Sequence, residues 1–307
     1  MSTTVAAIDC GTNTIRLLIA TQSATGALTE MTREQRFVGL GQGVDATGNF
    51  SDEALQRTLA ACEEYATIIE QFPVDKARFV ATSATRDAAN REVLLTGVAQ
   101  RLGITPEVIS GDEEASLSFR GVLSGLVAAR NPILVIDSGG GSTEFIRGLT
   151  DGTIIEKTSL DIGSRRIKER YLNSDPPTDP QIYAARKAIR ALLAATNIDW
   201  EEVRTAVAVA GTATTMSALI QRLPTYQRHL VHLSRLHRED IADLTEHLLT
   251  STVAEIAALG SVLPERAPVL ASGALLLNEI AQRIGPATTI ISEADILDGI
   301  ALGLLPA

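Results

Sequence analysis

Two segments of this chain end an apolar run on an aspartate and then turn on glycine and hydroxyl residues. They are AIDCGTNTIRLLIA, from Ala7, and VIDSGGGSTEFIRG, from Val135. In the second, Gly139, Gly140 and Gly141 let backbone amides approach an anion without Cβ interference, and Ser142 and Thr143 add hydroxyl donors. A plain hairpin does not need three consecutive glycines, so phosphate binding is the expectation there. The first turn, with Gly11, Thr12 and Asn13, is weaker alone and gains from its match to the second. A third turn, Gly211-Thr212 running to Thr215, lies between an apolar strand and a helix start, where helix amides point at an anion. Asp9 and Asp137 stand at the strand ends beside the first two turns. Carboxylates there suit direct or water-mediated Mg²⁺ ligation, because magnesium takes oxygen donors and keeps waters. Aspartate also stabilises turns through backbone amides; its recurrence in both segments favours the metal role.

The cluster Ser110-Gly111-Asp112-Glu113-Glu114 has the S-x-x-E spacing of a capping box, which accounts for Glu113. Glu114 is then either a solvated carboxylate or a general base aligning a water for attack on phosphorus. Arg86 follows an apolar strand in ATSATR and is either solvated or a bidentate phosphate clamp. Arg165, Arg166, Lys168 and Arg170 form a cationic run, readable as one solvated helix face or as a positive patch for an anionic substrate. Other chemistries lack their residues. No GxxxxGK[ST] loop occurs, and Gly39–Gly43 lacks dinucleotide spacing. His229 and His232 have no cysteine or carboxylate partners for zinc. Cys10 has no histidine in its half of the chain to activate it as a nucleophile.

The elements that must hold these residues read as α/β. A β-hairpin is expected over Val5–Asp9 and Ile15–Thr21, and a third strand, Leu28–Phe37, after a Thr25-Gly26 turn. Ser51 caps a helix with Leu55, Leu59, Cys62, Ala66 and Ile69 at helical spacing. Strands at Arg78–Thr82 and Glu107–Ser110 alternate with helices over 90–102 and 112–125. After Asn131-Pro132 the pattern starts over, with strands at Ile133–Asp137, Thr143–Gly148 and Ile154–Leu160. Asp179-Pro180 reads as cap and first position of a helix. Thr205–Ala210 and Thr288–Ser292 are further strands, and Ser292 is the expected cap of the last helix. The repeat of strand, aspartate, turn and strand implies two similar domains facing each other across a cleft.

The chain has 307 residues and a formal net charge of −10, a length that suits two domains. Up to residue 126 there are 16 acidic and 10 basic residues, and 21 and 17 after it. Both halves being anionic disfavours non-specific adhesion to nucleic acid or to an anionic membrane. Two cysteines make no disulfide framework. With no basic leader and no apolar run of membrane-spanning length, a cytoplasmic location is expected.

Taken together, AIDCGTNTIRLLIA, ATSATRDAANREVLL, VISGDEEASLSFRGV, VIDSGGGSTEF, LDIGSRRIKERY and VAGTATT resemble, in order and spacing, the exopolyphosphatase / guanosine pentaphosphate phosphohydrolase family. The resemblance implies two ribonuclease-H-like domains of the actin and sugar-kinase superfamily, over 1–126 and 127–307, with the last helix packing back on the first. It implies that Glu114 is the catalytic base, that Arg86 contacts phosphate, and that Glu144 aids metal or water placement beside Asp137. Asp9, Gly11, Thr12 and Asn13 match the first phosphate loop, Gly139–Ser142 the second, and Arg166 an LxxGxxR motif. The implied cofactor is Mg²⁺ and the implied substrate inorganic polyphosphate, with guanosine pentaphosphate as the alternative and a homodimer as the assembly. Phosphotransfer to a small acceptor and a non-catalytic sensor are the other readings. Cys10 and Ser138 replace residues that are often aliphatic in the family. The chain resembles the short form without the C-terminal helical domain, which carries an expectation of preference for shorter polymers.

Overall fold

The structure, a computed structural model, describes residues 3–23 and 28–306; the Thr25-Gly26 turn lies outside them. The chain divides into two compact units. One is built from residues up to Ser124 together with the segment from Ala294, the other from Gly125–Glu293.

The first unit begins with β1 (Thr4–Cys10), β2 (Thr14–Gln22) and β3 (Leu28–Phe37), then α1 (Val44–Thr47) and α2 (Asp52–Ile69). β4 (Lys76–Ala81), α3 (Ser83–Asp87), α4 (Arg91–Leu102), β5 (Pro106–Val108) and α5 (Gly111–Gly125) follow. Its sheet has the order β3-β2-β1-β4-β5, with β1 antiparallel to β2 and parallel to β4. β1 is buried along its whole length because both faces of the sheet are covered. Ala6, Ile8 and Cys10 join Leu55, Cys62, Tyr65, Leu94 and Val98 from α2 and α4. Val5 and Ala7 join Leu117 of α5 and the last helix on the other face. Ser51 caps α2 as expected, its Oγ accepting from the Ala54 N–H at 3.2 Å. Burial pushes the Cys10 thiol up, and the Cys62 thiol up to about 12, which leaves both as inert core residues.

The second unit repeats the plan. β6 (Ile133–Ser138), β7 (Thr143–Gly148) and β8 (Ile154–Leu160) form a meander, followed by α6 (Ser164–Arg170) and α7 (Asp179–Ala194). Then come β9 (Thr205–Val209), α8 (Ala210–Ile220), α9 (Arg228–Val231), β10 (Arg235–His237), α10 (Arg238–Thr250), α11 (Val253–Ala257), α12 (Ala267–Arg283) and β11 (Thr288–Ile291). The order β10-β11-β9-β6-β7-β8 is that of the first sheet with one added edge strand. Both are ribonuclease-H-like sheets. The core gathers Leu134, Ile136 and Phe145 from the strands and Met216, Leu275 and Ile280 from the helices.

Two helix starts differ from the sequence reading. α7 is capped by Thr178, not Asp179, because Thr178 and Gln181 form a reciprocal capping box that leaves Pro180 inside the first turn. The final helix, α13 (Ile296–Leu304), is capped by Asp295 rather than Ser292. The Ser292 N–H extends the sheet by donating to the Ala208 carbonyl at 3.0 Å, so the chain is still extended there. The box expected at Ser110 is half formed. The Glu113 N–H donates to Ser110 Oγ at 3.2 Å, while the Glu113 carboxylate pairs with Arg78 at 2.6 Å. Among the described residues no helix is long and apolar enough to cross a membrane.

Candidate active site

The two aspartate-ended hairpins close in the same way. The Gly11 N–H donates to the Thr14 carbonyl at 2.9 Å, and the Gly139 N–H to the Ser142 carbonyl at 3.0 Å. The register then places Asp9 opposite Arg16 and Asp137 opposite Glu144. Directly opposed residues share a face of the sheet with Cβ atoms about 4.5–5.5 Å apart. One position of the repeat thus carries a cation in the first unit and an anion in the second.

In the first unit Arg16 donates to Asp9 Oδ2 through Nε at 3.1 Å and Nη2 at 2.6 Å, and through Nη1 to Asp295 Oδ2. Burial pushes the Asp9 carboxyl above its ordinary range, and Arg16 offsets only part of that rise. For Asp295, burial also raises, but Arg16 and Arg33 outweigh it and hold the carboxyl low. The turn itself is anchored through its carbonyls. That of Asn13 accepts from Val38 at 3.0 Å and Gly39 at 2.9 Å, and that of Thr12 from Gly41 at 2.9 Å.

The same unit brings Arg86 and Glu114 together. Arg86 sits in the last turn of α3, just past β4, and Glu114 in the first turn of α5, just past β5. β4 and β5 are parallel neighbours, so their C-terminal ends lie side by side. Arg86 Nη1 donates to Glu114 Oε2 at 2.7 Å and to the Ile109 carbonyl at 3.0 Å. Glu114 is 8% exposed, so this is not a solvated carboxylate.

In the second unit the glycine turn is tied down by its carbonyls. That of Gly139 accepts from the Ser164 N–H at 3.0 Å, and that of Gly140 from the Arg165 N–H at 2.9 Å. The carbonyl of Gly141 accepts from Arg166 Nε at 2.6 Å. In a trans peptide C=O and N–H point in opposite directions. The N–H groups of Gly140, Gly141 and Ser142 are therefore directed away from α6, a preformed set of donors for an anion. The close approach of α6 depends on Gly163, where a Cβ would fall 2.5 Å from the Gly140 carbonyl carbon and oxygen. Arg166 thus braces this turn, and Thr143 Oγ1 does the same by donating to the Ile162 carbonyl at 2.6 Å. Glu144, 1% exposed, accepts from Ser159 Oγ at 2.7 Å. At the third turn, Ala210 has φ +70°, and the guanidinium of Arg266 lies against Gly211. Thr212 is buried.

Among the described residues no three His, Cys, Asp or Glu side chains cluster as a metal-holding group. Asp137 and Glu144 offer the two-carboxylate oxygen set that magnesium uses beside waters and phosphate oxygens. Asp9 differs, since Arg16 already offsets its charge. Arg16, Arg266 and Asp295 escaped the sequence reading. For Arg16 a signal was present, because it aligns with Glu144 in the repeat.

Among the described residues Ser138 Oγ is buried without a hydrogen-bond partner, and alternation along β6 places it with Leu134 and Ile136. Leaving such a hydroxyl unsatisfied costs about 1–3 kcal/mol. Ser138→Ala is therefore expected to raise the urea midpoint while keeping kcat within about twofold. A kcat drop of about tenfold would put that hydroxyl in the reaction.

Two ribonuclease-H-like units, each opening with an aspartate-ended hairpin, the second with its turn amides directed away from α6, define a two-unit α/β protein. The chain belongs to the Ppx/GppA phosphatase family, matched over residues 18–307. It is 45% identical to exopolyphosphatase 2 of Mycobacterium tuberculosis over 98% of both chains. A crystal structure of an exopolyphosphatase-like protein, 39% identical, superposes with a TM-score of 0.94 over 99% of this chain and 98% of that one. The Aquifex aeolicus family member, 27% identical, gives 0.83 over 99% and 97%.

Proposed function

We propose that this protein is an exopolyphosphatase that releases terminal orthophosphate from inorganic polyphosphate by Mg²⁺-dependent attack of water. The observation that carries the reading is the glycine turn, whose carbonyls are bound to α6 and Arg166 so that its amides are set for phosphate oxygens before substrate arrives. Gly139–Ser142 bind phosphoryl oxygens, and Gly11, Thr12 and Asn13 form the matching phosphate turn of the first unit. Glu114 orients the water. Arg86 holds that carboxylate through Nη1 and turns its remaining N–H groups to phosphate. Asp137 and Glu144 would hold Mg²⁺, and Asp9, whose Oδ1 is outside the Arg16 pair, is a further oxygen donor of the kind that ion takes. Bound there, the ion would offset charge on the phosphate oxygens. Phosphoryl transfer needs little covalent chemistry from the protein, so positioning supplies most of the rate and no phospho-enzyme is required. A homodimer in the cytoplasm accompanies this reading.

Orthophosphate release with Mg²⁺ from short polyphosphate, long polyphosphate, guanosine pentaphosphate and ATP tests it. Release from polyphosphate without any acceptor is the expected result. Release confined to guanosine pentaphosphate would keep the site and move the function to nucleotide metabolism.

A further inference from the structure

β1 and β2 place Asp9 and Arg16 on the sheet face that also carries Val5, Ala7, Leu18 and Ala20, and α13 packs on this face through Ile296, Leu297 and Ile300. The cap of α13 therefore arrives beside the Asp9 turn. Asp295, 6% exposed, does two jobs there. Its Oδ1 accepts from the Leu297 N–H at 2.9 Å, as a helix cap, and its Oδ2 accepts from Arg16 Nη1. Asp298 completes the cap by accepting from the Asp295 N–H at 3.0 Å, and its other oxygen accepts from Arg33 Nη2 at 2.7 Å. Arg16 is thus gripped from two sides. Two of its N–H groups are on Asp9 Oδ2 and a third on a carboxylate that the α13 cap holds rigid.

A guanidinium is planar, so fixing Nη1 on one carboxylate fixes the direction in which Nε and Nη2 can reach the other. We propose that Asp295 is a positioning residue for the reaction. Acting through Arg16, it fixes the Asp9 carboxylate so that one oxygen is held and Oδ1 is presented to the site. The inference rests on the assignment of Asp9 to the site under the proposed function. A helix cap alone does not need the Arg16 contact, since Asn or Ser would cap α13 as well. Charge is what the guanidinium requires.

The test is a double-mutant cycle in the full-length protein on polyphosphate with Mg²⁺, using Asp295→Asn, Asp9→Asn and both together, beside Asp298→Asn. Asp298→Asn disturbs the same cap without touching Arg16. Asp295→Asn is expected to lower kcat about tenfold or more with KM within about twofold. In the Asp9→Asn background it should add less than about twofold, because the residue it acts through is gone. Asp298→Asn should lower Tm comparably while kcat stays within about twofold. Asp295→Glu, which keeps the charge, should recover part of the loss. A readout independent of turnover is the Arg16 guanidinium N–H resonances, which are expected to be restricted in the parent protein and averaged in Asp295→Asn. Unchanged kcat in Asp295→Asn, with Asp9→Asn impaired, overturns the proposal and leaves the site standing. Full additivity in the double variant overturns it as well. An Asp9→Asn variant of unchanged kcat removes Asp9 from the site and the proposal with it, while phosphate release by the parent protein still reports the phosphatase.

Discussion

Glu114→Gln is expected to lower kcat for orthophosphate release by about 10²–10⁴, the range for a positioned acid–base group, with little change in Tm. The substitution keeps shape and an acceptor oxygen, so the bond from Arg86 Nη1 survives as a neutral-acceptor bond. The α5 start, held by the Glu114 N–H on the Ser110 carbonyl at 2.9 Å, does not depend on the side chain. What is lost is the charge that orders a water with its lone pair toward phosphorus. Because a loose phosphoryl transition state demands little proton transfer, the size of the loss separates two roles. A fall near the upper end means that proton removal is part of the rate-limiting step. A fall near the lower end means that orientation dominates. Less than about tenfold, from initial rates at saturating polyphosphate, would remove Glu114 from the site. Arg86→Lys should also be impaired, because a point charge cannot hold the carboxylate and offer further aligned N–H groups at once.

The two hairpins were legible because short apolar, β-branched runs end on an aspartate before a turn of glycine and hydroxyl residues, and the repeat identified them twice. The same turns fix the register, which sets Arg16 opposite Asp9 and Glu144 opposite Asp137. The pairing of Arg86 with Glu114 was beyond local reading. The two are 28 residues apart and meet only because β4 and β5 run parallel and end together, a fact of sheet order. The cap of α13 was misplaced for a different reason. Ser292 and Asp295 are both good caps, and the choice was made by a sheet bond from the Ser292 N–H to the Ala208 carbonyl. Tertiary pairing overrode a local preference there. Asp295, freed to start the helix, could then reach Arg16.

Gly121→Ala and Gly299→Ala should be the most damaging conservative changes in the first unit. α5 and α13 cross in backbone contact at these two residues. A Cβ on Gly121 would lie 1.7 Å from the Asp295 carbonyl oxygen, and one on Gly299 would lie 1.9 Å from that of Leu117. Both obstacles are main chain, so no rotamer change relieves them and one helix must move off the other. Overpacking of this kind costs about 1–3 kcal/mol and sometimes more, against a gain of about 1 kcal/mol from replacing helical glycine by alanine. The clash wins. Gly303 supplies the contrast on the same helix, since its Cβ would meet only Arg120 Nη1, at 3.6 Å. Gly303→Ala should therefore hold or raise Tm while Gly299→Ala lowers it. The displaced helices carry Glu114 at the start of α5 and Asp295 at the start of α13, so kcat should fall with Tm in the Gly121 and Gly299 variants. Thermal melting and initial rates measured together test this. A Gly299→Ala protein as stable and as active as Gly303→Ala would show that the crossing is not tight and that the two helix starts are held independently of it.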